Sequence, residues 1–183
     1  MKTLSVKGSW AYYLAAGLKN VENRTWDTTY RGTLAIHISG QHIRSMVAPD
    51  DARLPVFTDY FKLVDPKSGA VIKDRGKYWT KDTDGMVRFA REWRGDPLAE
   101  REFALFDWCM LRLSRNIAPM PAHAIIGTVE LYDIVRDSPS PWAEAGQYHW
   151  LVRNACFFPE PVLEIKGRLG LWDYQGKLPA PGR

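Results

Sequence analysis

The chain has 183 residues, 45% of them apolar, which is enough for one domain with a real hydrophobic core, or for one domain that carries a large insertion. Its net charge of +4 permits a polyanionic partner without requiring one. The first residues lack the long apolar stretch of a secretory signal and no later run is long enough to cross a bilayer, which argues against a secreted or membrane protein and favours the cytoplasm.

The first elements are predicted to be a short strand and a helix. Residues 3–7 form a strand candidate, and Gly8 breaks its pattern. Ser9 is a favourable N-cap for a helix over residues 10–16. Gly17 then stands where a left-handed residue commonly ends a helix.

An extended segment and a second strand come next. Residues 20–27 alternate loosely and predict a strand or extended chain. Residues 33–38, T-L-A-I-H-I, predict a strand in which Leu34 and Ile36 share one face and His37 lies on the other.

A large insertion is predicted to follow. Residues 41–123 are weakly patterned at first and punctuated by prolines, and they include one strong helix signal with Asp96 as N-cap and Pro97 as the first helical residue. We interpret this region as a helical insertion between barrel strands, because it is longer than a plain loop should be. The helix, residues 97–115, is apolar over more than half its circumference, which fits packing and also fits a homodimer contact.

The remaining chain reads mainly as strands. Residues 124–135 give the clearest strand, in which Gly127 marks a site for a bulge. Residues 148–155 and 157–165 predict two further strands, and residues 171–174 a last short one. Together these elements predict an α+β, mainly β fold: a small β-barrel with flanking helices and the insertion, in a single domain of residues 1–183.

The cysteines and histidines argue against a metal site. Cys109 and Cys156 form no C-x-x-C pair and have apolar neighbours, which predicts two buried free thiols. The four histidines are scattered, and no two have the spacing of metal ligands. We therefore expect neither a metal nor another cofactor.

Three charged residues near the first helix form the clearest candidate site. In an extended chain Glu22 and Arg24 point to one face, and Lys19 follows the helix closely enough to join them. Such a trio can grip a phosphate or a base edge, and it can also move a proton during catalysis. Spacing alone favours an ordinary surface salt-bridge cluster, because exposed ion pairs are common in proteins.

The same residues belong to a longer run of motifs. A small residue before Trp, an amphipathic turn and G-x-K-x-x-E-x-R are present as Ser9-Trp10-Ala11, Gly17, Lys19, Glu22 and Arg24. The chain continues with Glu22-Asn23-Arg24-Thr25-Trp26, Tyr30-Arg31-Gly32 and Ile36-His37, and later with I-I-G-T-V-E-L at 125–131, Y-H-W at 148–150 and K-G-R-L-G-L-W at 166–172. This run resembles the ASCH domain, named for activating signal cointegrator homology. The resemblance covers roughly the first forty and the last sixty residues, and the insertion has no counterpart in it.

The resemblance implies a PUA-like fold, related to domains that bind RNA, with a cleft formed partly by the G-x-K-x-x-E-x-R segment. Some small members hydrolyse N4-acetylcytidine through a Lys, a Thr and a Glu, and others are associated with ribonuclease activity. The catalytic lysine corresponds to Lys19, the threonine is replaced by Glu22, and Glu144 is the candidate for the later glutamate. Since the threonine is absent, amide hydrolysis is not the first expectation.

The ligand-binding candidates surround this segment. Arg24 would bind a phosphate or stabilise an oxyanion, and Trp10, Trp26 and Tyr148 could supply a stacking surface. His37 is a candidate either for the cleft, with Ser39, or for a hydrogen-bonded core position, and the resemblance makes His149 a cleft candidate. We therefore expect the chain to bind RNA, a single-stranded nucleic acid or a nucleoside, with hydrolysis of RNA or an acylated cytidine as the alternative.

Overall fold

The computed structural model describes residues 1–41, 79–81, 87–89, 97–118 and 120–180. The chain divides into two compact units, one made of Met1–Ile43 and Met120–Arg183 and the other of Arg44–Pro119. The predicted insertion covers the second unit, and most of that unit, with Asp96, lies outside the described residues. A helical nature of the whole insertion therefore stays a prediction.

Eight strands and two helices are described. They are β1 (Lys2–Lys7), α1 (Gly8–Ala15), β2 (Val21–Arg24), β3 (Gly32–Ser39), β4 (Trp79–Lys81), β5 (Val87–Phe89), α2 (Pro97–Ser114), β6 (Ala124–Val135), β7 (Tyr148–Val162) and β8 (Leu171–Asp173). In the first unit, six strands form one sheet in the order β2-β7-β6-β3-β1-β8, in which β1 and β3 are parallel and the other neighbours antiparallel. The sheet curls into a half-barrel, which confirms the mainly β class.

Helix α1 begins two residues earlier than the sequence predicted. Its N-cap is Lys7, whose side chain makes no capping hydrogen bond, so the prediction that Ser9 caps the helix is wrong. Gly8 makes this early start possible, because its φ of 51° turns the chain directly from β1 into the helix and only glycine adopts that value at little cost. Five consecutive residues of α1, from position 11 to 15, are buried.

The other end of α1 is confirmed as predicted. Gly17 has a φ of 73° and its N–H donates to Leu14 O at 3.0 Å, while Leu18 N–H donates to Tyr13 O at 2.8 Å. These two bonds are those of a Schellman motif, which satisfies the last carbonyl groups of a helix. The motif turns the chain sharply out of α1 toward β2.

Strand β3 forms the centre of the core. Its residues 34–38 are all at most 2% exposed, so both faces of the strand are covered. Helix α1 packs against β3 and β6. Ala35 packs in a separate apolar cluster with Ile125 and Phe158. Because side chains alternate along a strand, His37 shares the face of Ala35.

The two long strands, β6 and β7, carry the irregularities that curl the sheet. The bounds predicted for β6 are confirmed, but the two strands predicted at 148–155 and 157–165 are a single strand, β7. The β6–β7 register shifts at three places, one of them between Ile125 and Gly127, and Asn154 of β7 has a φ of 49°. Such shifts increase local twist and bend a sheet, so one strand can cross the whole half-barrel.

In the second unit, β4 and β5 pair in an antiparallel two-stranded sheet, and α2 begins at Pro97 as predicted.

Cys109 of α2 is buried, whereas Cys156 of β7 is half-buried, so the prediction of two buried thiols holds only for the first. Leu111 of α2 is 52% exposed, and the homodimer contact stays a prediction. Among the described residues, no helix combines the length and apolarity needed to cross a membrane.

Candidate functional site

Three charged side chains beside α1 form one connected network. Lys19 Nζ donates to Glu22 Oε2 at 3.0 Å, and Arg24 Nη2 lies 3.0 Å from Glu22 Oε1. Only 6% of the Lys19 side chain and 9% of the Glu22 side chain are exposed, against 22% for Arg24. The cluster is therefore largely buried, which excludes the interpretation of a loose surface salt bridge.

Local backbone structure places the three residues together. Lys19 directly follows the Schellman turn, and its own N–H donates to Tyr13 O at 3.1 Å. Strand β2 pairs with β7, so that Glu22 lies opposite Trp150. Alternation along β2 then puts Glu22 and Arg24 on one face, as the sequence predicted.

Arg24 retains hydrogen-bond donors that the protein does not use. Its Nη2 donates to Ser5 O at 2.8 Å, in addition to the contact with Glu22. Its Nε is buried and has no acceptor among the described residues. A guanidinium group offers five N–H donors in a fixed fork, so Arg24 can bind a ligand oxygen while it stays tied to the protein.

A cavity of about 620 Å³ opens beside this network, within the first unit. Five of the ten predicted site residues line it: Trp10, Glu22, Arg24, His37 and Ser39. The other five, Lys19, Trp26, Glu144, Tyr148 and His149, do not. In the cavity the G-x-K-x-x-E-x-R segment thus meets residues of β1 and β3, whereas the start of β7, although paired with β2, does not line it.

The charge of the cavity lining is predominantly positive. Four of its side chains are cationic, namely Lys7, Arg24, Lys166 and Arg168, and Glu22 is its single carboxylate. Within the described part of the chain, Lys7, Lys166 and Arg168 form no ion pair. Unpaired cations around a concave surface attract an anionic ligand.

Trp10 supplies an aromatic wall. The side chain is 38% exposed, and its ring makes edge contacts with Tyr13 and Trp142 at centroid distances of 5.7 and 6.0 Å. Lys19 Nζ lies 5.7 Å from the centroid of the Trp10 ring. These contacts hold the ring in place while part of it remains accessible from the cavity, as a stacking platform requires.

His37 fastens the segment after β7 to β3. The residue is 1% exposed, Nε2 donates to Ile165 O at 2.9 Å, and Nδ1 lies 3.2 Å from Ser5 Oγ. Burial lowers the pKa of His37 below its ordinary value; the hydrogen bond to Ile165 raises it in part, and the nearby charge of His123 lowers it further. At pH 7 the ring is therefore neutral. The sequence offered a cleft position or a hydrogen-bonded core position for His37, and the residue combines both, since it lines the cavity and is buried. Ser39, at the end of β3, donates from Oγ to Val6 O at 3.3 Å.

Lys19 lies behind the cavity wall rather than in it. Its ammonium group is held by Glu22 and covered by Trp10, and the residue does not line the cavity. In this position Lys19 neutralises the buried carboxylate and orients it. Glu22 is thus the one predicted catalytic residue that reaches the cavity.

Two of the predicted stacking residues are engaged elsewhere. The Trp26 ring packs edge-on against Trp150 at 4.6 Å, and Trp26 O accepts a hydrogen bond from Trp150 Nε1. Tyr148 lies under the guanidinium of Arg136, 3.7 Å from it. Both side chains are half-buried and lie at the edge of the sheet where β2 pairs with β7.

Glu144 and His149 also serve the loop that precedes β7. His149 Nε2 donates to Glu144 O at 2.8 Å, and its Nδ1 accepts from Ser138 N–H at 3.2 Å. The Glu144 carboxylate accepts from Gln147 Nε2 at 2.7 Å and is exposed. Both nitrogens of His149 are used by backbone groups, so the geometry does not support it as a ligand contact or Glu144 as a partner of Lys19.

Sequence reasoning missed the residues that come to the cavity from the end of the chain. Lys166, Arg168 and Leu169 line it, as do Lys7 and His123. The K-G-R-L-G motif was visible, but nothing in its spacing shows that the segment lies beside β1 and β3. The described residues contain no group of three or more His, Cys, Asp or Glu side chains arranged to hold a metal ion.

Comparison with known proteins places the chain in no family. No protein-family model matches it, and no curated protein matches it closely enough to count as a relative. The ASCH resemblance therefore stands on the motifs alone.

Proposed function

We propose that the chain is an ASCH-type protein with a PUA-like barrel, and that its cavity binds a nucleobase or nucleotide of RNA. The observation that carries the proposal is the composition of the cavity: an accessible tryptophan ring, a partly exposed arginine and three further cations surround one hollow. Each of these groups can contact a different part of a nucleotide.

The size of the cavity fits one nucleotide. Small-molecule sites generally enclose about 300–1,000 Å³, and this cavity of about 620 Å³ lies within that range. Sequence-specific RNA recognition generally uses single-stranded bases that can enter such a space.

The chemistry of the lining assigns a part to each group. The exposed part of Trp10 offers a stacking face, which tolerates any base. Glu22 accepts hydrogen bonds and Arg24 donates them, so the pair can read donors and acceptors on the edge of one base. Lys7, Lys166 and Arg168 can neutralise the phosphates on either side.

The proposal is tested by the binding of a labelled single-stranded RNA at several salt concentrations. Affinity should fall as salt rises, since cation–phosphate contacts release counterions. Lys7→Ala should weaken binding and flatten the salt dependence, whereas Lys177→Ala, an exposed lysine outside the cavity lining, should not. An affinity that is independent of salt, or equal losses in both variants, would contradict the proposal.

Hydrolysis of RNA or of an N4-acetylcytidine-type nucleoside is the second candidate. The observation that favours it is the buried Lys19–Glu22 pair, whose carboxylate reaches the cavity and could orient a water molecule. Incubation of the protein with acylated nucleosides and labelled RNA tests this directly. Turnover that Glu22→Gln abolishes, while the variant is shown to be folded under the assay conditions, would support it, and intact substrates at high protein concentration would exclude it.

A further inference from the structure

The mouth of the cavity carries an apolar side chain in an unusual position. Leu169 is 99% exposed, although it lines the cavity and lies one residue after Arg168. A fully exposed leucine contributes no burial to the stability of the fold. Two cations precede it in the same loop, Lys166 and Arg168, and neither forms an ion pair within the described residues.

The loop that presents Leu169 is firmly attached to the sheet. Ser5 Oγ donates to Arg168 O at 3.0 Å, and His37 Nε2 donates to Ile165 O at 2.9 Å. Gly167 lies so close to the His37 ring that a Cβ there would come within 2.4 Å of Cε1. The backbone before Leu169 is therefore held against β1 and β3, the backbone after it is held by the pairing of Leu171 with Leu4, and Leu169 is held outward.

We infer that the site takes a nucleotide within a single-stranded RNA rather than a free nucleotide, and that Leu169 contacts the base next to the one in the cavity. This inference rests on the proposed function. An exposed apolar side chain next to two cations matches a base and its neighbouring phosphates, because the base offers an apolar face and the phosphates offer charge. Arg168 and Lys166 are the partners of those flanking phosphates.

The test compares one nucleotide with a short strand. We would measure the affinities of the wild type, Leu169→Ser and Leu163→Ser for two sets of ligands. One set is the four ribonucleoside 5′-monophosphates, and the other is the four single-stranded RNA hexamers that each contain one kind of base. Leu163 is the matched control, since it is 47% exposed in the same unit and does not line the cavity. Because Leu169 is fully exposed, its replacement should leave folding intact.

The wild type should bind at least one hexamer more tightly than the corresponding monophosphate. Leu169→Ser should weaken hexamer binding about five-fold, from the loss of part of one leucine contact, and leave monophosphate binding unchanged. Equal affinities for hexamer and monophosphate, an unchanged hexamer affinity in Leu169→Ser, or the same loss in Leu163→Ser would overturn the inference while the proposed function stands. A wild type that binds neither ligand would overturn both.

Discussion

The replacement Glu22→Gln tests the energetics of the buried network. Glu22 holds Lys19 and Arg24 at 3.0 Å each, and the new amide would keep the shape of the side chain but remove its charge. The ammonium group of Lys19, whose side chain is only 6% exposed, would then lack a counter-charge. Arg24 would suffer less, because it is more exposed and also donates to Ser5 O.

Removal of one partner from a buried ion pair costs about 3–5 kcal/mol, since the remaining charge stays desolvated. We expect Glu22→Gln to lower the free energy of unfolding by about 3 kcal/mol, the lower end of this range, because Arg24 is partly solvated. Adding Lys19→Met to Glu22→Gln should recover part of the loss, since the double variant no longer buries an unpaired ammonium.

Equilibrium urea unfolding, followed by tryptophan fluorescence, measures these changes, and an unchanged m-value shows that the unfolding reaction is the same. Glu130→Gln is the control: it removes a carboxylate paired with Arg153 on the surface, and its effect should be much smaller. A loss below about 1 kcal/mol for Glu22→Gln, or no recovery in the double variant, would refute the view that Lys19 depends on Glu22.

Three further predictions concern the sheet, His37 and the thiols. Gly127→Ala would place a Cβ 2.4 Å from Cys156 O and 3.0 Å from Ala15 Cβ. It should therefore lower the free energy of unfolding, measured in urea, by about 1–3 kcal/mol. An unchanged free energy of unfolding would contradict this packing. The lowered pKa of His37 means that the unfolded chain binds its proton more readily, so stability should fall as the pH drops below about 6.5. His37→Gln should lose less unfolding free energy than the wild type between pH 6.5 and 5. Equal pH dependence of stability in the two proteins would contradict a lowered pKa for His37. Burial raises the pKa of Cys109 to about 12, so iodoacetamide should label Cys156 and spare Cys109 in the native protein, as read by mass spectrometry; the reverse order would contradict the structure.

Local signals in the sequence were sufficient where an element depends on its own residues. The end of α1 follows from Gly17, whose left-handed conformation few other residues adopt cheaply, and the bounds of β6 follow from a segment rich in β-branched residues. Alternation along β2 correctly put Glu22 and Arg24 on one face. The start of α1 differs from the local prediction because Gly8, which interrupts the strand pattern, is itself the first residue of the helix.

Pairing between distant segments was beyond such signals. The irregular register of β7 on β6 makes one bent strand from two predicted ones, and bulges of this kind depend on the partner strand rather than on local composition. Tyr148 and His149 were assigned to the cleft from their motif, but β7 delivers them to the loop and edge where Arg136 and Glu144 O occupy them.

The sequence by itself determined the mainly β class, the ends of several elements and the grouping of Lys19, Glu22 and Arg24, because each of these follows from neighbours within a few positions. Only the tertiary structure decided what the trio faces. The parallel pairing of β1 with β3 brings Ser5 beside His37, and these two residues hold the segment of Arg168, more than 120 positions away, at the mouth of the cavity. Such a juxtaposition is set by hydrogen bonds between segments far apart in the chain, and no local pattern records it.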